Sequence, residues 1–253
     1  MTSPILVTGG TGTLGGHIVP LLRAAGRDVR VLSRHSRESA DGIEYVAGDL
    51  LKGEGIEAAV DGVDIVLHLA GGPKGDDEAT RNLVRAASRA GVRHLVYISA
   101  IGADTVPLGW FTSKLGAERA IADSGLPWTT LRAAQFHDLA LNVVQTMAKL
   151  PVIPVPGGLR FQPVDAREVA ARLVELTLGE PAGLVPDLAG PKVYGMADLS
   201  RAYLKVRGKR RLMMPVRMPG KAGRAYRAGE NLSFEGTAVG KRTWEDFLAE
   251  RVS

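Results

Sequence analysis

The apolar run Ile5-Leu6-Val7 predicts a buried strand, and it breaks into Thr8-Gly9-Gly10-Thr11-Gly12-Thr13-Leu14-Gly15 before Ile18, Leu21 and Leu22 recur at helical spacing. The same alternation continues along the chain. Short continuous apolar runs predict strands at 29–32, 43–46, 63–69, 94–99 and 129–131. Between them, helices are predicted at 56–60, at 77–90 closed by Gly91, and at 113–124 ended by Gly125, with a further one at 167–178. Strands that are apolar throughout and alternate with helices belong to a parallel sheet covered on both faces. No internal repeat or low-complexity tract interrupts the pattern.

Three glycines spaced three apart between a strand and a helix place backbone N–H groups and a helix N-terminus against a pyrophosphate. Gly9 permits the turn, Gly12 the approach of the phosphates and Gly15 the packing of helix on strand, with Thr11, Thr13 and Leu14 in the same turn. The end of the next strand, about 20 residues on, is where an acid would hold the adenosine ribose of NAD(H). Here the chain reads Ser33-Arg34-His35-Ser36-Arg37, and the first carboxylate, Glu38, comes too late. Guanidinium forks and a serine hydroxyl suit a 2′-phosphate, so Ser33, Arg34 and Arg37 favour NADP(H). A solvated basic turn is the other reading of the same residues.

Composition narrows the class. At 253 residues, 45% hydrophobic and 23% charged, the chain can bury a large core. It has no cysteine, which excludes disulfides and thiolate chemistry and fits a reducing cytoplasm. No run approaches the roughly 20 apolar residues of a membrane span, and with the first strand so near the start no targeting segment is expected.

In a sheet of this kind ligands bind beyond the carboxyl ends of the strands. There stand Asp49, which can accept from an adenine amino group, and Leu50, which can pack on the ring. Ala70 and Gly71 let backbone approach a cofactor, and Ser99 and the stretch from Ala133 through Gln135 to His137 follow. His68, inside an apolar strand, reads as a hydrogen-bonded core histidine. No cluster of His, Cys or acids has metal-ligand spacing.

The glycine-rich turn, Gly48-Asp49-Leu50, Tyr97-Ile98-Ser99 and the lysine of the following helix resemble the extended or atypical short-chain dehydrogenase/reductases, close to the NmrA-like group, as do Pro73-Lys74-Gly75-Asp76, residues 131–138 and Pro163-Val164-Asp165. The resemblance covers essentially the whole chain. It implies a Rossmann fold: α/β, a doubly wound parallel sheet, with an NADP(H)-binding core at 1–150 and a small substrate-binding or lid region at 151–253. It also implies that Ser99 orients a substrate oxygen and that Lys114 holds the nicotinamide ribose. The usual Tyr-x-x-x-Lys is broken, however, because Trp110 stands four residues before Lys114, and an indole cannot serve as an acid near neutral pH.

Three readings follow from that substitution. The chain is a reductase in which Lys114, His137 or water replaces the tyrosine; or it binds NADP(H) without turnover as a redox sensor or regulator; or it holds the cofactor for a non-redox reaction. Trp110, Gln135 and His137 are the substrate-pocket candidates, although Trp110 also reads as a surface aromatic and Asp138 as the cap of a helix through Leu139. Residues 151–158, rich in proline and glycine, are expected to wander across the cofactor site, and their apolar character points to a hydrophobic substrate. The reaction expected is NADPH-dependent reduction of a small, largely apolar carbonyl or conjugated double bond.

Charge is uneven. Between Arg201 and Arg227 lie ten Lys or Arg and no acid, leaving 22 basic against 27 acidic residues elsewhere, so this segment alone makes the chain +5. It can attract an anion, a carrier protein or nucleic acid. With only Tyr203 and Tyr226 as aromatics it does not read as a nucleic-acid module, and Asp198 is expected to cap a helix to Val206 with a solvated basic side. The expected partner is a small molecule, with neither membrane nor nucleic acid, and the protein a monomer or homodimer.

Overall fold

The computed structural model describes residues 3–35, 37–39, 41–234 and 236–252. The chain divides into two compact units. The first runs through Ser99 and includes Gly109–Leu131 and Val169–Val185; the second comprises Ala100–Leu108, Arg132–Glu168 and the chain from Pro186 on.

In chain order the elements begin β1 (Ile5–Thr8), α1 (Thr13–Ala24), β2 (Val29–Ser33), β3 (Ile43–Ala47), α2 (Ile56–Val60), β4 (Ile65–His68), α3 (Asp76–Ala90), β5 (His94–Ala100), α4 (Gly109–Ala122) and β6 (Trp128–Ala133). They continue α5 (His137–Met147), β7 (Val152–Pro156), β8 (Arg160–Phe161), α6 (Ala166–Leu178), β9 (Gly183–Leu184), β10 (Leu188–Ala189), β11 (Tyr194–Gly195), α7 (Met196–Val206), β12 (Leu212–Val216), α8 (Gly220–Ala228), β13 (Ala238–Val239) and α9 (Trp244–Arg251).

In the first unit the sheet order is β6-β5-β4-β1-β2-β3, with β9 beside β6. The chain winds outward from β1 in one direction and from β4 in the other, so the order reverses between these two central strands, where a doubly wound sheet opens its ligand crevice. Register brings Thr8 level with both Leu32 and His68 at the carboxyl end of the sheet. Beneath it Leu6, Val66, Leu83, Leu95, Tyr97 and Ile121 form one buried cluster.

The second unit has its own core of Val144, Ile153, Leu199, Tyr203, Trp244, Phe247 and Leu248. Tyr194 and Trp244 are tied together, the Trp244 N–H donating to the Tyr194 hydroxyl while that hydroxyl donates to Glu245.

Three local expectations are corrected. Helix α4 begins at Gly109, not residue 113, because Phe111 continues the buried stripe of Lys114, Ala117 and Ile121; Lys114 therefore sits in the second turn, not at the helix start. Residues 151–158 do not wander as a loop. Ile153 and Val155 alternate inward, and β7 pairs in parallel with β12, a two-stranded edge that tolerates Pro154 and Pro156. Asp138 is not the cap of α5: the cap position is Phe136, and Asp138 lies in the first turn, paired with Arg251 at 3.1 Å. Asp198 does serve α7, accepting from the Gly195 N–H at 3.0 Å.

Candidate functional site

The glycine-rich turn is built as a cradle. Gly9 has φ +70°, and a Cβ there would lie 2.7 Å from the Ala70 nitrogen. A Cβ on Gly15 would lie 2.4 Å from the Gly10 Cα, so only glycine lets the helix seat against the turn. Around Gly12, by contrast, the nearest atom to an added Cβ is the Gly9 carbonyl at 3.4 Å, and the residue opens onto a cavity of about 450 Å³. Helix α1 starts at Thr13 with no side-chain cap and no acid in its first turn, which leaves its first N–H groups for a ligand. Thr13 is exposed, while Leu14 and Gly15 are buried. An uncapped helix end facing a glycine-walled cavity fits a diphosphate.

The cavity continues past the ends of β2 and β3. Ser33, Arg34, Asp49 and Leu50 line it, as do Thr11, Ala70 and Gly71. Ser33 is buried, and its hydroxyl accepts from the His35 N–H at 3.2 Å. Arg34 is exposed. Arg37 is not among the lining residues: its guanidinium lies over the Tyr45 ring, 5.9 Å from the centroid. Ser36 lies outside the described residues. One carboxylate oxygen of Asp49 is committed to the Leu51 and Lys52 N–H groups, at 2.9 and 3.3 Å, which fixes the turn that presents Leu50.

Behind this wall runs a directional hydrogen-bond chain. The Thr80 hydroxyl donates to the Asp76 carbonyl at 2.6 Å, and a hydroxyl has one proton. His68 Nε2, 2.9 Å from the Thr80 oxygen, must therefore carry the hydrogen and donate. That leaves Nδ1 to accept from the Thr8 hydroxyl at 2.7 Å, and the Thr8 oxygen accepts the Ala70 N–H at 3.2 Å. Burial, with the nearby Lys114 charge adding to it, pushes the His68 pKa down to about 3, so the ring is neutral. His68 is thus a core histidine whose tautomer is set, and it ties the Ala70 wall to the start of α3.

Asp76 and Lys114 meet at that helix start. Lys114 Nζ lies 3.1 Å from Asp76 Oδ2, an ion pair without hydrogen-bond geometry, and 3.5 Å from the Ile98 carbonyl. The other Asp76 oxygen accepts the Gly72 N–H at 2.7 Å. A Cβ on Gly71 would come within 3.1 Å of Nζ and 3.2 Å of Oδ2, so glycine there keeps the pair open to the cavity wall. The ammonium also lies over the rings of Tyr97, at 5.1 Å, and Trp110, at 5.9 Å. Ser99, buried two residues after Tyr97, has a hydroxyl without a hydrogen-bond partner among the described residues. Tyr97 cannot stand in for the missing tyrosine, because burial raises its hydroxyl pKa well above the ordinary value.

Trp110 packs edge-on against Phe111, centroids 4.8 Å apart, and is half-exposed. The remaining expected residues lie in the second unit. Ala133 is buried and pairs with Leu188 across β6 and β10. Gln135 donates to the Tyr226 hydroxyl at 3.4 Å. His137 is a correction: it is fully buried, its ring set against Phe247 at 5.1 Å and Trp244 at 5.8 Å, and that burial brings its pKa down to about 4. It is a core residue of its unit and does not present a proton to a pocket.

Sequence reasoning gave no site role to Asp76, Lys74, Gly72 or Thr8, all of which line the cavity. The signal for Asp76 was its place directly after Gly75, where an acid enters the first turn of a helix.

The NAD(P)H-binding family model matches residues 9–176. The chain is 29% identical over 215 residues to an NAD(P)H azoreductase of Xenophilus azovorans, covering 81% of this chain and 74% of that protein. It is 30% identical over 212 residues to a (4-alkanoyl-5-oxo-2,5-dihydrofuran-3-yl)methyl phosphate reductase of Streptomyces griseus, with the same coverage. In fold it is similar to an NADPH-dependent quinone oxidoreductase of Escherichia coli solved with NADPH, with a TM-score of 0.84 at 21% identity over 97% of this chain and 99% of that one.

Proposed function

Because the chain belongs to the NAD(P)H-binding family, in the NmrA-like group of atypical short-chain dehydrogenase/reductases, we propose that it is an NADPH-dependent reductase of a small, largely apolar carbonyl or conjugated double bond. The observation that carries this reading is the cavity that joins an uncapped helix end to Asp76, the carboxylate paired with buried Lys114. The reductase names of both relatives above support it.

In this reading the cofactor is held by residues of the first unit, all of them within 1–150. Gly9, Gly12 and the first N–H groups of α1 bind the diphosphate. Ser33 and Arg34 take the 2′-phosphate, with Arg37 adding positive charge from its place over Tyr45. Asp49 accepts from the adenine amino group through its uncommitted oxygen, and Leu50 packs beneath the ring. The bound dinucleotide supplies a hydride. Lys114 donates to the ribose hydroxyls, Ser99 positions the substrate oxygen through its unpartnered hydroxyl, and Trp110 forms an apolar wall. As negative charge develops on that oxygen, the Lys114 ammonium, held by Asp76, stabilises it. The absence of an acid at residue 110 favours a second reading, a silent NADP(H)-binding regulator in the same reducing cytoplasmic setting.

The two are separated by titrating NADPH and NADH into the protein and then following NADPH oxidation with a quinone, an azo dye and an α,β-unsaturated lactone. Tighter NADPH binding with turnover of one of these is expected. Binding without any turnover selects the regulator, and failure to bind either nucleotide overturns both.

A further inference from the structure

The ribbon of β7 and β12 in the second unit places Leu212 beside Val152, Met214 beside Pro154 and Val216 beside Pro156. Alternation along each strand puts these six side chains on one face and Ile153, Val155 and Met213 on the other. On the second face Ile153, Val155 and Met213 turn inward and join the core around Trp244, while Pro215 stays exposed. The first turns outward, with Leu212 74% exposed, Met214 53% and Val152 39%. A sheet with one solvated face ordinarily carries polar side chains there. This face carries none.

Cations frame it at both ends. Because the strands are parallel they begin at the same end, so Lys149, which precedes β7, lies at the end where Lys209, Arg210 and Arg211 precede β12. At the far end Arg217 and Arg227 line a small cavity with Gly157 and Val216. No acid occurs from 139 to 164 or from 199 to 229, the stretches that contain the two strands. Among the described residues, Lys149, Lys209, Arg210, Arg211 and Arg217 form no ion pair.

An apolar face rimmed by cations is complementary to a bilayer surface whose headgroups are anionic: aliphatic side chains enter the acyl boundary while guanidinium and ammonium groups remain among the phosphates. A second copy of the chain is a poor occupant, since a two-fold contact would bring both ten-cation segments together. Nucleic acid is a poor one too, because the face offers no aromatic ring to stack on a base. We propose that the β7/β12 ribbon docks this protein on an anionic lipid surface, with Val152, Leu212 and Met214 entering the apolar boundary and Lys209, Arg210, Arg211 and Arg217 meeting the headgroups. The contact is peripheral. Among the described residues no helix is long and apolar enough to cross a membrane. The proposal stands independently of the reductase reading.

The test is co-sedimentation of the full chain with vesicles of phosphatidylcholine alone and of phosphatidylcholine mixed with phosphatidylglycerol. Binding is expected only to the mixed vesicles. It should weaken roughly tenfold or more in Arg210→Ser/Arg211→Ser and on raising salt, and by a similar factor in Leu212→Ser/Met214→Ser. Unchanged far-ultraviolet dichroism in both variants shows that they fold. If one does not, Met214→Gln alone tests the apolar contact. No binding to the mixed vesicles overturns the proposal, as does binding that the Leu212/Met214 variant leaves intact, which would be counterion attraction without insertion. Self-association dispersed by that variant, or equal capture by duplex DNA, would assign the face to another occupant.

Discussion

Lys114 and Asp76 face each other at 3.1 Å with side chains only 7% and 4% exposed, on helices α4 and α3 from different parts of the chain. Removing one partner of such a pair leaves an uncompensated buried charge, at a cost of about 3–5 kcal/mol, whereas removing both is often close to neutral. Asp76→Asn is therefore expected to be strongly destabilised, and Asp76→Asn combined with Lys114→Met to recover most of the loss. Urea unfolding of the two single variants and the double variant measures this. Additive losses would mean that the pair is not coupled.

Cofactor choice rests on the turn after β2. If Arg34 meets a 2′-phosphate, Arg34→Ala should weaken NADPH by roughly ten- to a hundredfold and leave NADH nearly unchanged. Calorimetric titration of both nucleotides checks it. Equal affinities in the unaltered protein would remove the basis for the preference.

The fold was legible because its signals are local: the run into Gly9, Gly12 and Gly15 and the capping Gly91 fix a strand and helix boundaries without reference to the rest of the chain. The cofactor side of the cavity was legible for the same reason, since the residues after each strand end could be counted off. What could not be read depends on pairing between distant segments. Asp76 acquires meaning only when Lys114, 38 residues on, is brought against it. His137 looks like a site residue in sequence and becomes a core residue once Trp244 and Phe247 pack on it. The alternation of β7 was hidden by its prolines, which in an edge ribbon break nothing.

Acid sensitivity follows from the buried histidines His68, His94 and His137, whose burial lowers the pKa of each. Burial lowers His68 to about 3 and His137 to about 4 from the ordinary 6.5. Below pH 6.5 the unfolded chain takes up protons at these sites and the folded chain does not, so stability falls as pH drops, by about 1.4 kcal/mol per pH unit for each histidine until its folded pKa is reached. Asp165 acts in a lower window. Burial alone would raise it, but hydrogen bonds from Arg167 and Arg242 outweigh that and hold it at about 2, so its contribution is lost only as pH falls below its ordinary 3.8. Denaturation midpoints between pH 7 and about 4.5 should fall with a slope that His137→Gln reduces by one proton. A slope unchanged by that substitution would show that His137 is protonated in the folded state.

The last test separates a catalyst from a clamp. Lys114→Met keeps the aliphatic stem in its buried slot but removes the charge that Asp76 holds, so it is made together with Asp76→Asn to preserve the fold. Both readings expect weaker NADPH binding, because the ribose loses a donor. Only a reductase using the ammonium at the developing oxyanion expects single-turnover oxidation of bound NADPH to fall well beyond the loss in affinity, since that interaction is made in the transition state alone. Trp110→Tyr supplies the counter-case. A tyrosine at residue 110 would sit one helical turn from Lys114, and activity that appears only with this substitution would mark the wild-type site as one that has lost its acid and kept its nucleotide. If turnover and affinity instead fall by one common factor in the Lys114 variant, the lysine holds the ribose and no more, and the proton must come by way of the Ser99 hydroxyl or water, because His137 is sealed in the core of the second unit.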